Sequence, residues 1–135
     1  INTSRGEVVD ETALCYALNH EYIRDAVIDV WEHEPFINIE LLNRIFIGTP
    51  HIAGYSADGK ANATRMTLEA FCKFFGKEIN FKIILPEMPH MPFDSNENIR
   101  QIQIYDPRFD CQELRRYPER FEQLRGDYQL RREYK

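Results

Sequence analysis

The stretch "AVIDVWEHEP", residues 26–35, decides how the chain is read. Ala26 to Val30 is a short apolar run rich in β-branched side chains, which predicts a buried strand. Asp29 sits inside that run, and a carboxylate at a buried strand's end is costly unless it is paired. Glu34-Pro35 stops the strand.

Working outward, the segment after the stop predicts a helical turn around Ile39 to Leu42 and a second buried strand at Ile45-Phe46-Ile47, closed by Gly48-Thr49-Pro50. On the other side, Asp10 is a good N-cap with Glu11 in the first turn. Ala13, Leu14, Ala17 and Leu18 repeat at helical spacing up to about His20. The opening "INTSRGEVVD", residues 1–10, reads as the end of a buried strand running into a tight loop. Strand, helix, strand, loop, strand is the order of an α/β architecture with a mostly parallel sheet.

Beyond residue 56 the character changes. Ala57 to about Phe75 predicts one long amphipathic helix, with Ala61, Met66, Leu68, Ala70, Phe71, Phe74 and Phe75 near helical spacing and Gly76 as its stop. Residues 77–98 hold three of the seven prolines, with Phe81 to Leu85 as an expected strand and "PEMPHMPFDSNEN" as a linker. Ile99 to Tyr105 alternates and predicts a half-exposed strand. Residues 110–134 are expected to be helical, broken near Pro118. A domain boundary is placed near residue 80.

A length of 135 residues suits one ordinary domain with a sizeable core. The net charge of -5 argues against a nucleic-acid or anionic-membrane surface as the main partner. No apolar run approaches the roughly 20 residues that span a bilayer, and no signal peptide is recognisable, so a cytoplasmic setting is the expectation. Cys15, Cys72 and Cys111 are odd in number, far apart and without CxxC spacing, which argues for reduced structural thiols and against a zinc site.

The chemistry-bearing residues gather in the first 56 positions: Arg5 in "NTSRG", Asp29 and Glu34 in "DVWEHEP", and His51 in "TPHIAGYS". Each falls at or just past the end of an expected strand, where an open α/β sheet receives its ligands. Singly, Arg5 reads as a loop cation, Glu34 as a turn residue and His51 as a structural histidine. Together they supply a planar clamp for a carboxylate, an orienting carboxylate and a side chain that exchanges protons near neutrality. Elsewhere, His20, His33 and His90 read as surface or capping residues, Trp31 as wall packing and Lys60 as a solvated lysine. The Arg- and Tyr-rich tail is diluted by Glu119, Glu122, Asp127 and Glu133, which argues against nucleic-acid binding and leaves a solvated amphipathic helix as the reading from composition.

"INTSRGEVVDETALCYAL", "AVIDVWEHEP" and "TPHIAGYS" resemble the second half of the cofactor domain of the D-2-hydroxyacid dehydrogenase family. The stretch "TPHIAGYSADGKAN" and the tail from "ILPEMPH" onward narrow the resemblance to a branch that oxidises a phosphorylated 2-hydroxy acid and carries its own dimerisation region. The resemblance implies NAD as cofactor, no metal, a small-molecule hydroxy acid as substrate and a homodimer formed through the C-terminal region. It further implies that Arg5 grips the substrate carboxylate, that His51 is the acid/base, and that Glu34 fixes the imidazole tautomer. Asp29 and Gly54 match positions at the nicotinamide end, Thr3 and Ser4 lie in a loop that shapes the cofactor site, and Tyr55 matches a substrate contact.

On this reading, residues 1–56 are the C-terminal part of an NAD-binding domain, 57–79 a connecting helix, and 80–135 a truncated α+β dimerisation domain. Gly6, Gly48, Gly54, Gly59, Gly76 and Gly126 nowhere form GxGxxG, so the chain reads as part of a longer enzyme and is expected to be inactive by itself. Two rivals stand beside this: another D-2-hydroxyacid dehydrogenase of the phosphoglycerate or glycerate type, and a non-catalytic dimerisation or interaction protein on the same fold.

Overall fold

The computed structural model describes residues 1–87 and 92–133. His90 and the middle of "PEMPHMPFDSNEN" therefore lie outside the described residues. The chain forms two compact units, one of residues 1–53 with 106–128, the other of residues 54–105 with 129–135.

The first unit is built on parallel pairing. Helix α1 (Glu11–Asn19) begins where expected, its N-cap Asp10 accepting the Ala13 N–H at 2.8 Å. Strand β1 (Val27–Ile28) follows, then α2 (Ile39–Arg44), capped by Asn38, and β2 (Ile47–Gly48). The two strands pair in parallel, Val27 with Ile47 and Ile28 with Gly48. On the other side of β1, Asn2 makes a parallel bridge to Ile28. Three chain segments thus run side by side in one direction, as the order of elements predicts, although the strands are shorter than the apolar runs that specify them. Residues 29–31 leave the ladder because Asp29 and the Trp31 backbone are engaged by the loops beyond it.

The tail completes this unit. Helix α5 (Pro107–Arg116), a 3-10 turn at Pro118–Arg120 and α6 (Phe121–Gly126) break at Pro118, as expected from the missing N–H of proline. Leu114 and Phe121 are fully buried in the same core as Leu18, Trp31, Leu41 and Leu42. Arg115 donates to the carbonyls of Leu42 at 3.2 Å and Ile45 at 2.6 Å, closing the C-terminal end of α2. The Cys111 thiol accepts the Gly48 N–H at 3.3 Å, satisfying a buried donor at the end of β2. Packing therefore groups residues 106–128 with residues 1–53, whereas composition alone groups them with the segment from residue 80.

The second unit contains α3 (Ala57–Phe74), in agreement with the sequence, capped by Ser56, whose Oγ accepts the Gly59 N–H at 2.9 Å. The tail grips the start of this helix. Arg131 forms a parallel bridge with Ser56, and Ala57 N–H donates to the Arg131 carbonyl at 2.8 Å. Arg132 makes a two-pronged contact to Asp58 at 2.8 and 3.1 Å, and the Glu133 N–H adds a third bond to the same carboxylate at 2.8 Å. The Ser56 hydroxyl also donates to Glu133. The far end of α3 leaves Phe71, Phe74 and Phe75 exposed.

Two expectations in this unit are corrected. Ile99 to Tyr105 is not a strand: Ile99 to Ile104 lies in α4 (Glu97–Ile104), with Asn96 as its N-cap and Tyr105 as its C-cap. Its isoleucines fit both periods: Ile102 and Ile104 alternate, while Ile99 and Ile102 are three apart, and over so short a run the Asn96 cap decides. Residues 81–85 carry no strand either, Phe81 and Ile84 being exposed without a ladder partner. Among the described residues from 80 onward, β structure is confined to the single bridge at Arg131, so the α+β character expected there is not found.

Candidate active site

Three loops leave the carboxyl ends of the three parallel segments, and each carries one member of the Arg5, Glu34 and His51 set. The first loop turns directly after Asn2. Asn2 is buried, its Nδ2 donates to the Arg5 carbonyl at 2.9 Å, and its Oδ1 accepts the Ser4 N–H at 3.2 Å and the Ser4 hydroxyl at 3.0 Å. Thr3, Ser4 and Arg5 are exposed, and Arg5 Nη1 donates to the Ser4 carbonyl at 2.6 Å. Immediately beyond, Gly6 is packed so tightly that a Cβ there would lie 2.0 Å from the Trp31 carbonyl oxygen.

The second loop, residues 29–35, is tied at several points. Trp31 is buried, and its indole N–H donates to the Thr49 carbonyl at 3.0 Å, in keeping with a wall residue. Glu11, at the start of α1, accepts the Glu32 N–H at 2.8 Å. Burial pushes the Glu11 carboxyl above its ordinary range, while that backbone donor pulls it back down. Glu34 takes the Trp31 N–H on Oε1 at 2.9 Å and presents Oε2 to the third loop.

There, His51 Nδ1 donates to Glu34 Oε2 at 2.7 Å, with both side chains mostly buried. Because a carboxylate only accepts, this contact puts the proton on Nδ1 and leaves Nε2 as the working nitrogen. His51 adopts a left-handed backbone conformation, φ 56°, which costs a non-glycine residue on the order of 1 kcal/mol. Asp29 offsets that cost. Its Oδ1 accepts the Thr49 hydroxyl at 2.6 Å and the Ile52 N–H at 2.8 Å, its Oδ2 accepts the Ala53 N–H at 3.0 Å, and its own carbonyl accepts the His51 N–H at 2.8 Å. Hydrogen bonds to a charged group contribute roughly 1.5–3 kcal/mol each, so three on one carboxylate outweigh the strain of the turn. Asp29 is thus the paired buried carboxylate that its position demands, and it acts on the loop that carries His51.

Gly54 and Tyr55 belong to the second unit and are described there. Gly54 adopts φ 78° with open space around its Cα. The Tyr55 carbonyl accepts from Arg131 at 3.3 Å, and the Lys60 ammonium lies 4.0 Å above the Tyr55 ring. Of the other described histidines, His20 follows α1 as its C-cap, its Nδ1 donating to the Tyr16 carbonyl at 2.9 Å and its ring stacking on Tyr16, while His33 is exposed.

The set that the geometry brings together is Glu34 with His51, and Asp29 with the turn at His51. Asn2 and Thr49 were not singled out from the sequence. An Asn followed two residues later by Ser, directly after an expected strand, is the signal of a side chain that can bond the turn after it. Among the described residues no group of acidic, His and Cys side chains is arranged to hold a metal, and no helix is long and apolar enough to cross a membrane.

Residues 1–53 match the family described as D-isomer specific 2-hydroxyacid dehydrogenase, NAD binding domain. The chain is 58% identical over 135 residues to the erythronate-4-phosphate dehydrogenase of Bacteroides fragilis, covering 98% of this chain and 38% of that protein. It is 55% identical over 137 residues to the enzyme of the same name from Bacteroides thetaiotaomicron, covering all of this chain and 39% of the relative. The Escherichia coli protein of that name is 42% identical over 146 residues, covering 99% of this chain and 39% of its own length. The chain therefore spans about two fifths of the length of these relatives.

Proposed function

We propose that this chain is part of a D-isomer specific 2-hydroxyacid dehydrogenase, the family whose NAD-binding domain residues 1–53 match, and that it carries the proton-transfer residues of that NAD-dependent enzyme. The substrate class we assign is a phosphorylated 2-hydroxy acid. With the substrate taken from the relatives' name, we assign the reaction as oxidation of 4-phospho-D-erythronate at C2 to 3-hydroxy-2-oxo-4-phosphooxybutanoate, and its place in pyridoxal 5'-phosphate biosynthesis is our own proposal.

The observation that carries the proposal is the 2.7 Å contact between His51 Nδ1 and Glu34 Oε2 at the ends of parallel segments. With Nδ1 committed to Glu34, Nε2 takes the proton of the substrate C2 hydroxyl. The electron pair of the O–H bond then forms the C2–O double bond, and the C2 hydrogen departs with its electrons as hydride. Protonated His51 remains paired to the Glu34 carboxylate, which stabilises the imidazolium as it forms. Exposed Arg5 supplies a planar guanidinium fork for the substrate carboxylate, which orients C2 and draws electron density from its oxygen.

NAD, when bound, accepts the hydride. Thr3 and Ser4 suit its nicotinamide end, because they are exposed residues of the loop beyond a parallel segment, where such a sheet receives a ligand. Asp29 would act there chiefly through the turn it holds, and Gly54 and Tyr55 are the further cofactor and substrate positions of this reading. Dimerisation through the C-terminal region is part of the same proposal, with a limit: Leu114 and Phe121 are spent within the chain's own core, which leaves other residues to face a partner.

The test is a substrate panel on the full-length gene product. 4-Phosphoerythronate-dependent reduction of NAD, with phosphoglycerate and glycerate far weaker, is the expected result. Preference for phosphoglycerate would favour the other dehydrogenase type. Absence of hydride transfer from every 2-hydroxy acid would leave an interaction protein that retains the fold.

A further inference from the structure

We infer that Asn2 is a positioning residue for Arg5, acting through the backbone rather than by touching a ligand. The inference rests on the proposed role of Arg5 as the carboxylate clamp.

Three observations define it. The Asn2 main chain is fixed in the sheet, its N–H donating to the Val27 carbonyl at 2.9 Å and its carbonyl accepting the Asp29 N–H at 3.0 Å. Its side chain turns from that anchor to the loop, with Nδ2 on the Arg5 carbonyl at 2.9 Å and Oδ1 on Ser4. Gly6 then meets the Trp31 carbonyl so closely that a Cβ would lie 2.0 Å from its oxygen. Arg5 is therefore held between two fixed points, an amide on its own carbonyl and a backbone contact at the next residue, while its side chain remains exposed.

The chemistry explains why this residue type is required. One short side chain must offer a donor to Arg5 and an acceptor to Ser4 at once, and only an amide does both from this distance. Asp keeps the acceptor but turns an oxygen toward the Arg5 carbonyl. Ser has one hydroxyl for two partners, and Ala has nothing, so the Ser4 N–H and hydroxyl lose their acceptor and the Arg5 carbonyl keeps only the Val8 N–H. A misplacement of an orienting group by about 1 Å costs on the order of 100-fold in rate, which sets the size of effect to look for.

The experiment is a double-mutant cycle in the full-length gene product, measuring kcat and KM for the hydroxy acid in Asn2→Asp, Arg5→Ala and the double variant, with melting temperature recorded for each. Asn2→Asp is chosen over Asn2→Ala because it keeps the shape and the Ser4 contacts. We expect Asn2→Asp to lower kcat/KM by about 10- to 100-fold, carried mainly by KM for the acid. The double variant should match Arg5→Ala within about twofold, because an absent clamp cannot be mispositioned. Multiplication of the two single effects would overturn the inference, since Asn2 would then act independently of Arg5. Full activity in Asn2→Asp would overturn it as well. Full activity in Arg5→Ala is a different failure: it would remove the clamp itself and with it the proposed function of that residue.

Discussion

Glu34 divides its carboxylate between His51 and the loop that carries Glu34 itself, one oxygen accepting the His51 Nδ1–H at 2.7 Å and the other the Trp31 N–H at 2.9 Å. Such an arrangement has no slack. Replacing Glu34 by Gln removes the charge and puts an NH2 where one of two donors needs an acceptor. Either the imidazole loses its partner or the Trp31 N–H does. We expect Glu34→Gln to reduce kcat of the full-length gene product by about 10²- to 10⁴-fold, with KM for the acid changed little. Steady-state kinetics would check this, and a loss below threefold would remove Glu34 from the proton-transfer pair.

The pairing of Glu34 and His51 was legible because both lie just past apolar β-branched runs, and the ends of parallel strands converge. The strands' lengths were not legible. Val30 and Trp31 carry the apolar run on past Asp29, yet the Asp29 side chain and the Trp31 backbone and indole are claimed by the loops, a tertiary demand that a local pattern does not carry. The α4 misreading has the opposite cause, since a run of isoleucines that suits two periods leaves the choice to a single cap at Asn96. The return of Leu114 and Phe121 to the first core was hidden for a third reason: amphipathic helices announce that they pack but not against what.

Asp29 makes a second prediction. Asp29→Asn retains one carbonyl oxygen but aims an NH2 at either the Ala53 N–H or the Thr49 and Ile52 donors, so the turn at His51 loses part of its support. The cost is about 1–3 kcal/mol of stability, and the left-handed backbone of His51 is where the loosening concentrates. Chemical denaturation with kinetics on the same samples would read both effects. A variant with unchanged stability would show that the carboxylate is not what holds the turn.

Gly6 and Gly54 are predicted to respond differently to the same substitution. At Gly6 an added Cβ strikes main-chain atoms of Trp31 and Glu32, which cannot swing aside as a side chain would. Gly6→Ala should cost about 2–4 kcal/mol, an overpacking penalty of the severe kind. Gly54 has open space but φ 78°, so Gly54→Ala carries only the left-handed backbone cost of about 1–2 kcal/mol. Thermal denaturation of the two variants side by side should place Gly6→Ala well below Gly54→Ala. The reverse order would contradict the close approach of Gly6 to Trp31.

The tail's contribution to the first unit is open to the same kind of measurement. Leu114 is fully buried among Leu18, Leu41 and Leu42 on elements far from it in sequence. Leu114→Ala removes that contact and leaves a cavity, for an expected loss of about 2–5 kcal/mol. Limited proteolysis should then cut within residues 1–53 as well as in the tail, because both share one core. Cleavage confined to the tail would mean that residues 1–53 hold together without it.

In the second unit the start of α3 should be acid-sensitive, and the sign follows from Asp58. Its carboxyl is held down to about 2, first by the Arg132 side-chain hydrogen bond and then by the Glu133 N–H, with burial opposing both. A carboxyl whose folded value lies below its unfolded one binds fewer protons when folded, so its stabilisation is complete above about 4 and fades as pH falls toward 2. Arg132 remains charged throughout and loses its partner as Asp58 protonates, so the clasp of residues 131–133 on the helix start should open in that window. Hydrogen exchange at Ala57 and Glu133, whose N–H groups are bonded across the clasp, should accelerate between pH 4 and pH 2 once the intrinsic pH dependence is removed. Asp58→Asn should show the accelerated exchange already at neutral pH and no further change on acidification. An Asn variant that keeps the wild-type acid response would assign the effect to another group.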